Sequence, residues 1–167
     1  GFAQTADGLV GWWKFDETSG STAVDSSGNG YSGTIVDANR VSGKVGSGAL
    51  DFDGNGGYVD IPVAVFDTIT NATTGSDAVT ISVWQYGDNL SASDGVHHFL
   101  FHGRSGSSVF LAGYMLNNNG YIQFNNYGSQ YIRNVPTSTT EYNGQWNHYA
   151  YTHDGAADQM KIYQNGV

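Results

Sequence analysis

The chain contains no cysteine, only two prolines and few basic residues. Without cysteine, neither disulfides nor thiolate chemistry can contribute to its fold or function. Lysine and arginine total 6 against 15 aspartate and glutamate residues, which gives a formal net charge of −9. This charge would repel nucleic acids and anionic membrane surfaces. No apolar run reaches the length of a membrane span, so we expect no membrane insertion.

Glycine and aromatic residues are abundant instead, at 24 residues and 14% of the chain. A length of 167 residues and a hydrophobic content of 39% are typical of one folded domain. We therefore expect a single domain over residues 1–167, with residues 1–8 as a flexible or strand-donating arm. The low lysine content and the many Ser, Thr, Asn and Gly residues resemble secreted or cell-surface proteins, so an extracellular location is expected.

Short alternating segments separated by Asn-Gly and Asp-Gly turns indicate antiparallel strands. No segment shows a sustained helical period, so the pattern predicts an all-β sandwich or barrel. A long polar loop, Glu17–Gly33, is expected to be functional or to be held in place by other residues. The predicted strands are Leu9–Asp16, Val79–Tyr86, His97–His102, the hairpin Val109–Leu116 with Tyr121–Asn125, and the hairpin Gln145–His153 with Gln159–Gln164.

The stretch Ala49–Pro62 is predicted to form another hairpin, with its turn at residues 53–57. Its carboxylates, which include Asp53, lie beside a glycine-rich turn, an arrangement that suits a hard cation as well as a turn. An EF-hand is excluded because the position of the required bidentate glutamate is occupied by Pro62. Asp53 is therefore a candidate metal ligand, with an ordinary turn that binds no ion as the alternative.

Taken together and in order, several segments resemble the laminin-G-like, concanavalin A-like jelly-roll family, specifically its bacterial laminin-G type. The resemblance implies an antiparallel two-sheet jelly-roll sandwich. Domains of this family continue into further strands after the last Asn-Gly turn, whereas this sequence ends at Val167, which predicts a sheet that lacks its last strands. The segments that carry the resemblance are GLVGWWKFD (8–16), ETSG (17–20), DSSGNG (25–30), GALDFDGNGGYVDIP (48–62), VTISVW (79–84), QWNHYAYTHDG (145–155) and IYQNG (162–166).

The resemblance also implies a structural calcium at the loop 25–30, with Asp25 and a backbone oxygen near Asn29 as ligands. A hard cation would hold a long loop that has little apolar content. The alternative is that Asp25 accepts hydrogen bonds from the turn that follows it. A zinc site is not expected, since His98 and His102 are four residues apart on one strand and about 13 Å apart.

Catalytic patterns are weak. Glycosidases on this type of fold need two facing carboxylates, but the only glutamates, Glu17 and Glu141, lie in loops. The sequence has no nucleophile motif, so we do not expect an enzyme.

Glycan or polysaccharide binding is the common non-catalytic role in the family that the sequence resembles. It requires exposed aromatic rings that stack on sugars and polar side chains that bind hydroxyls. The alternative is that these aromatic residues cover a second sheet face or an interface. The candidate sugar-binding residues are Trp12, Tyr86, Arg104, Asn126, Tyr127, Tyr131 and Arg133.

The sequence thus favours an extracellular, non-catalytic carbohydrate-binding or adhesion module with a structural calcium. The competing hypothesis is a structural subunit of a surface layer or filament. Such a subunit would self-associate through an exposed sheet edge, because an unpaired edge strand can pair with another chain.

Overall fold

The computed structural model describes residues 8–70, 78–88, 98–105, 108–116, 121–126, 129–134, 142–157 and 159–167. The chain divides into two compact units, Gly1–Thr73 (unit 1) and Thr74–Val167 (unit 2), and the single domain over 1–167 stays a prediction. The described secondary structure consists of β1 (Thr22–Ala23), β2 (Gly33–Val36), β3 (Asn39–Val41), β4 (Ala49–Asp51), β5 (Tyr58–Asp60), α1 (Ala64–Thr70), β6 (Ala78–Tyr86), β7 (His98–Ser105), β8 (Ser108–Leu116), β9 (Tyr121–Asn126), β10 (Ser129–Asn134), β11 (Trp146–Asp154) and β12 (Gln159–Gln164).

Unit 1 contains two small antiparallel sheets, and the predicted hairpin over 49–62 does not form. Strand β4 pairs with β3, whereas β5 pairs with β2 in the other sheet, in the order β1-β2-β5. The turn between them contains Gly54 and Gly56, with φ of 81° and 95°. A Cβ on the next glycine, Gly57, would lie 2.2 Å from the carbonyl oxygen of Asp37, so the chain can cross between the sheets here only because that position is glycine.

The predicted strand Leu9–Asp16 is also wrong, since it makes only an isolated bridge between Trp13 and Asp25. Phe15 has a φ of 60°, which interrupts the extended backbone that a strand needs. Trp13 and Phe15 are half-buried. Side chains hold the segment instead of a strand ladder: Asp25 accepts the Trp12 N–H, and Asn29 donates to the Leu9 and Val10 carbonyls.

The helix α1 was not predicted from the sequence, because four of its seven residues are β-branched and favour strands. Its packing explains why it forms. Val65 is buried, and the Thr68 hydroxyl donates to the Ala64 carbonyl and contacts the hydroxyl of Tyr31 at 3.1 Å. Among the described residues, no helix has the length and hydropathy needed to cross a membrane.

Unit 2 is a sandwich of two antiparallel sheets, with orders β10-β9-β8-β7 and β12-β11-β6. The predicted strand over 79–86 and both predicted hairpins of this unit are confirmed within one or two residues. The sandwich predicted from the turn-rich alternation is therefore confirmed. Strand β10 was missed because its sequence, SQYIRN, is mostly polar.

Aromatic rings join the two sheets of unit 2. Tyr151 of β11 contacts Phe101 and Phe124 edge-to-face, at centroid distances of 5.1 and 5.5 Å. The Tyr151 hydroxyl donates to the Tyr114 carbonyl at 3.0 Å. The Phe101 ring lies over Gly113, its partner on β8.

We expect Gly113→Ala to destabilise unit 2 by about 2 kcal/mol, because overpacking forces rings away from their preferred positions. The new Cβ would lie 2.2 Å from a carbon of the Phe101 ring, which cannot retreat without disturbing Tyr151. Urea denaturation would measure the change. Adding Phe101→Leu to the variant should recover part of the loss, and a Gly113→Ala protein as stable as the wild type would contradict this packing.

Candidate functional site

Strand β6 alternates strictly between the interior of unit 2 and solvent. Val79, Ile81, Val83 and Gln85 are half-buried, whereas the residues between them are exposed. Among the exposed residues are two large aromatic side chains, Trp84 at 41% and Tyr86 at 47% exposure. Alternation along a strand places these two rings on the same face of the sheet, one pleat apart.

The neighbouring strand β11 adds two further rings to this face. His148 lies opposite Trp84 and Trp146 lies opposite Tyr86. The ring centroids are 5.2 Å apart in the first pair and 5.6 Å in the second. The His148 Nε2 atom is also 2.7 Å from the Ser82 hydroxyl. We name these five residues, Ser82, Trp84, Tyr86, Trp146 and His148, the aromatic surface.

The alternation of β11 determines which side chains reach the aromatic surface. Asn147, Tyr149 and Tyr151 are buried on the inner face of the sheet, so Trp146 and His148, which alternate with them, face outward. Asn165 continues the ladder beyond β12. Its side-chain oxygen accepts the backbone N–H of His148 at 2.9 Å, and its own N–H donates to the His148 carbonyl at 2.8 Å.

The chemistry of the aromatic surface suits sugar rings. Exposed tryptophan and tyrosine faces stack on the apolar faces of pyranoses, while hydroxyl and imidazole groups can exchange hydrogen bonds with sugar hydroxyls. Ser82 and His148 supply those polar groups beside the Trp84 ring. The surface therefore combines stacking groups and hydrogen-bonding groups within two adjacent strands.

The outer face of the four-stranded sheet carries a second, more polar cluster. Phe99 contacts His102 and Tyr114 at centroid distances of 5.0 and 4.5 Å. The Gln123 amide donates to Asn125, whose amide in turn donates to the Tyr114 hydroxyl. Phe99 and His102 are exposed, but Tyr114 and Gln123 are buried, so this cluster offers less ring area to a ligand than the aromatic surface.

Asp25, the predicted calcium ligand in unit 1, is 9% exposed and acts as a hydrogen-bond acceptor. One carboxylate oxygen accepts the backbone N–H groups of Trp12 and Ser27, and the other accepts the Ser27 hydroxyl and the Tyr31 N–H. A carboxylate has about four acceptor positions, and these four bonds occupy them. Asn29 donates its amide to the carbonyls of Leu9 and Val10.

This arrangement does not fit a calcium ligand, because each oxygen of Asp25 already faces two donors. It matches the alternative of a carboxylate that holds its own loop. Within the described part of the chain, no three acidic, histidine or cysteine side chains are grouped so that they could hold a metal ion. Calcium binding at this loop stays a prediction.

The hydrogen bonds to Asp25 also make unit 1 sensitive to acid. Burial would raise the pKa of this carboxyl, but the donors on Ser27, Trp12 and Tyr31 outweigh burial and lower the pKa from 3.8 to about 2. A lowered pKa stabilises the folded state at pH values above 3.8, and this stabilisation is lost as the pH falls to 2.

We therefore expect the free energy of unfolding of unit 1 to fall by about 2 kcal/mol between neutral pH and pH 2 because of Asp25 alone. Denaturant unfolding followed through tryptophan fluorescence, to which Trp12 and Trp13 of unit 1 contribute together with Trp84 and Trp146 of unit 2, would measure this loss. In an Asp25→Asn variant the side chain no longer titrates, so its stability should vary less with pH. If both proteins lost the same free energy of unfolding between neutral pH and pH 2, Asp25 would not be the source of the loss.

Asp53, the third candidate ligand, lies in the exposed turn between β4 and β5. Its carboxylate accepts the backbone N–H and the side-chain amide of Asn55, and these bonds lower its pKa. It lines an open groove of about 540 Å³, together with Gly20, Ser21, Ile35, Asp37, Ala38, Asn39 and Asn55. Its role as a metal ligand stays a prediction.

The sugar-binding candidates have different positions in the structure. Tyr86 belongs to the aromatic surface. Trp12 lies in unit 1 and is 38% exposed, but the Lys14 ammonium is 4.2 Å from the centre of its ring and occupies one face. Tyr127 lies outside the described residues. The others lie on strands but their side chains are outside the description: Arg104, Asn126, Tyr131 and Arg133.

Sequence reasoning missed Trp84, Trp146 and His148 as site residues. The alternation of β6 already placed Trp84 on the face of Tyr86, so that signal was available. The contribution of β11 was not available, because its register with β6 joins residues that are sixty or more positions apart.

A family model described as the concanavalin A-like lectin/glucanases superfamily matches residues 53–167. No curated protein matches the chain. Among solved structures, the chain is similar to a crystal structure of an S-layer domain-containing protein from Clostridium thermocellum. The identity is 23% and the TM-score is 0.49, over 94% of this chain and 69% of that chain. Since the family match covers more than half of the sequence, the chain belongs to the concanavalin A-like lectin/glucanase superfamily.

Proposed function

We propose that this protein is an extracellular, non-catalytic carbohydrate-binding module and that its aromatic surface contacts the sugar. The observation that carries the proposal is the pair of exposed rings, Trp84 and Tyr86, each of which contacts a ring on the neighbouring strand β11. A ring that already packs against a neighbouring ring loses little conformational freedom when a sugar binds, which favours stacking. Membership of a superfamily of lectins and glucanases supports a carbohydrate ligand.

The bonds made by three of the described carboxylates support a non-catalytic role. Glu17 forms an ion pair with Arg40 at 3.1 Å, and Asp25 holds its own loop. Asp16 accepts the backbone N–H groups of Ser47 and Gly48. A glycosidase needs two carboxyl groups facing a shared sugar, whereas these three groups bind other parts of unit 1.

The experiment that tests the proposal is isothermal titration of the protein with a panel of soluble oligosaccharides. We expect saturable binding that Trp84→Ala weakens about tenfold, which corresponds to about 1.4 kcal/mol. Tyr86→Ala should have a similar effect. Tyr58→Ala is a matched control, because Tyr58 is 52% exposed on β5 of unit 1 and lies outside the aromatic surface.

Two outcomes would contradict the proposal. One is binding that is unchanged in the Trp84 and Tyr86 variants. The other is a wild-type protein that binds no sugar and forms large assemblies by light scattering instead of a 17.8 kDa monomer. The second result would favour the structural-subunit hypothesis.

A further inference from the structure

We propose that the aromatic surface binds the side of an extended, uncharged polysaccharide rather than a chain end or an acidic polymer. This inference rests on the proposed function and specifies the class of ligand. Two properties of the surface carry it: the distribution of charge around the rings, and the shape of the sheet on which they lie.

Among the described residues of β11 and β12, the outward positions next to the aromatic surface carry no charge. The outward positions of the strands next to it are Ala150 on β11 and Tyr163 on β12, which are paired with each other. The charged outward residues of these strands lie toward the other end of the sheet, where Lys161 pairs with Thr152 and Asp154 pairs with Gln159.

Acidic polysaccharides need basic groups at their binding sites, because unpaired like charges cost free energy on approach. Here, no lysine or arginine lies among the five residues of the surface, and the chain has a net charge of −9. Asp88, which is exposed two residues beyond Tyr86, adds a further negative charge at that end. Uronate or sulfate groups would therefore be repelled, whereas neutral hexoses would not.

The shape of the surface favours the side of a chain. The two ring pairs are two residues apart along β6, so they repeat about 7 Å apart along the strand. A polymer that lies along the strands can stack on both pairs in succession. Recognition of a chain end requires a concavity that encloses the terminal sugar. The groove of about 540 Å³ that Asp53 lines is in unit 1 and contains none of the five residues.

Hydrogen-bonding groups lie next to one ring of this stacking platform. The Ser82 hydroxyl lies two residues before Trp84 along β6, and His148 lies opposite Trp84 on β11, with its Nε2 atom 2.7 Å from that hydroxyl. Groups in this position can contact the hydroxyls at the edge of a sugar whose face covers the Trp84 ring.

The test is affinity electrophoresis and titration against three sets of glycans at low and high salt. The sets are neutral β-linked glucan, mannan and chitin oligosaccharides from disaccharide to hexasaccharide, the same neutral chains with a reduced end, and the acidic polymers alginate and polygalacturonate. We expect the affinity for neutral chains to rise about tenfold with length. This affinity should change little between about 0.05 and 0.5 M salt, or when the terminal sugar of the chain is chemically reduced.

Trp84→Ala and Tyr86→Ala should each remove most of the increase in affinity with chain length, while Tyr58→Ala should not. Circular dichroism spectra of the variants would verify folding, and Trp84→Phe, which keeps a flat ring, should retain part of the gain. Salt-sensitive preference for the acidic polymers, or full affinity at the disaccharide that disappears when its end is reduced, would overturn this inference but leave sugar binding intact. No binding to any of the three sets would overturn the proposed function itself.

Discussion

An Asp25→Ala variant is expected to lose about 3 kcal/mol of the free energy of unfolding of unit 1. The substitution removes the acceptor of four hydrogen bonds, from Trp12 N–H, from the N–H and hydroxyl of Ser27, and from Tyr31 N–H. A net contribution of about 1 kcal/mol for a bond in such a site, reduced for partial access of water, gives this magnitude. Chemical denaturation monitored by tryptophan fluorescence would measure it.

Asp53→Ala is the matched control for this variant. Asp53 also accepts two hydrogen bonds, but both come from Asn55 in its own exposed turn. Its loss should cost less than about 0.5 kcal/mol, as is usual for exposed positions. An Asp25→Ala protein that is no less stable than Asp53→Ala would contradict the role of Asp25 as the acceptor that holds the loop.

The Asp25→Ala variant, compared with the wild type, also tests the predicted calcium site. If Asp25 acts only as a hydrogen-bond acceptor, its replacement should cost the same free energy in calcium and in chelator. If Asp25 is a ligand, calcium should stabilise the wild type by mass action and should have no such effect on Asp25→Ala. A loss that is confined to calcium-containing buffer would favour the metal over the hydrogen-bonded loop.

The second large effect is expected at the centre of unit 2, where Tyr151→Ala should cost about 4 kcal/mol. The side chain is fully buried, and its removal leaves a cavity between Phe101 and Phe124. Burial, together with the neighbouring Tyr149, raises the pKa of the Tyr151 hydroxyl, so the group stays protonated and donates to the Tyr114 carbonyl. Thermal and urea unfolding would measure the loss.

Tyr151→Phe separates the two contributions of this residue. It keeps the ring and removes only the hydroxyl, so it should cost about 1 kcal/mol through loss of the hydrogen bond to the Tyr114 carbonyl. If Tyr151→Phe were as destabilising as Tyr151→Ala, the hydrogen bond would dominate and the cavity argument would be wrong.

Tyr151 matters for the proposed site although it does not reach the aromatic surface. A shift of β11 by one residue would exchange its two faces, which would bury His148 and Trp146 and expose the tyrosines. The buried pair Tyr149 and Tyr151 makes that shift costly. Variants of Tyr151 that keep this register should therefore bind sugar with the same length dependence as the wild type.

Much of unit 2 could be predicted from the sequence because its long strands alternate regularly and its turns have clear signatures. Unit 1 could not, for two physical reasons. In Leu9–Asp16, the positive φ of Phe15 and the bonds to Asp25 override an alternating pattern. At residues 53–57, Asp-Gly and Asn-Gly correctly indicate a tight change of direction, but they do not indicate which strand each flank will pair with.

The candidate site was predicted in part. The exposure of Tyr86 and its shared face with Trp84 follow from the alternation of β6 alone. The contacts of Trp84 with His148 and of Tyr86 with Trp146 depend on the register between β6 and β11. Such distant pairing is specified by the core residues of both sheets together, and no local pattern contains it.

The separation of β4 and β5 into different sheets has a consequence for how unit 1 can vary in length. In a hairpin, adding one residue to the turn shifts the register of both strands. Here β4 takes its register from β3, and β5 takes its register from β2. Insertions near Gly54 and Asn55, before the closely packed Gly57, would therefore lengthen the turn without moving either ladder. This turn is accordingly a place in unit 1 where we expect a peptide tag to be tolerated.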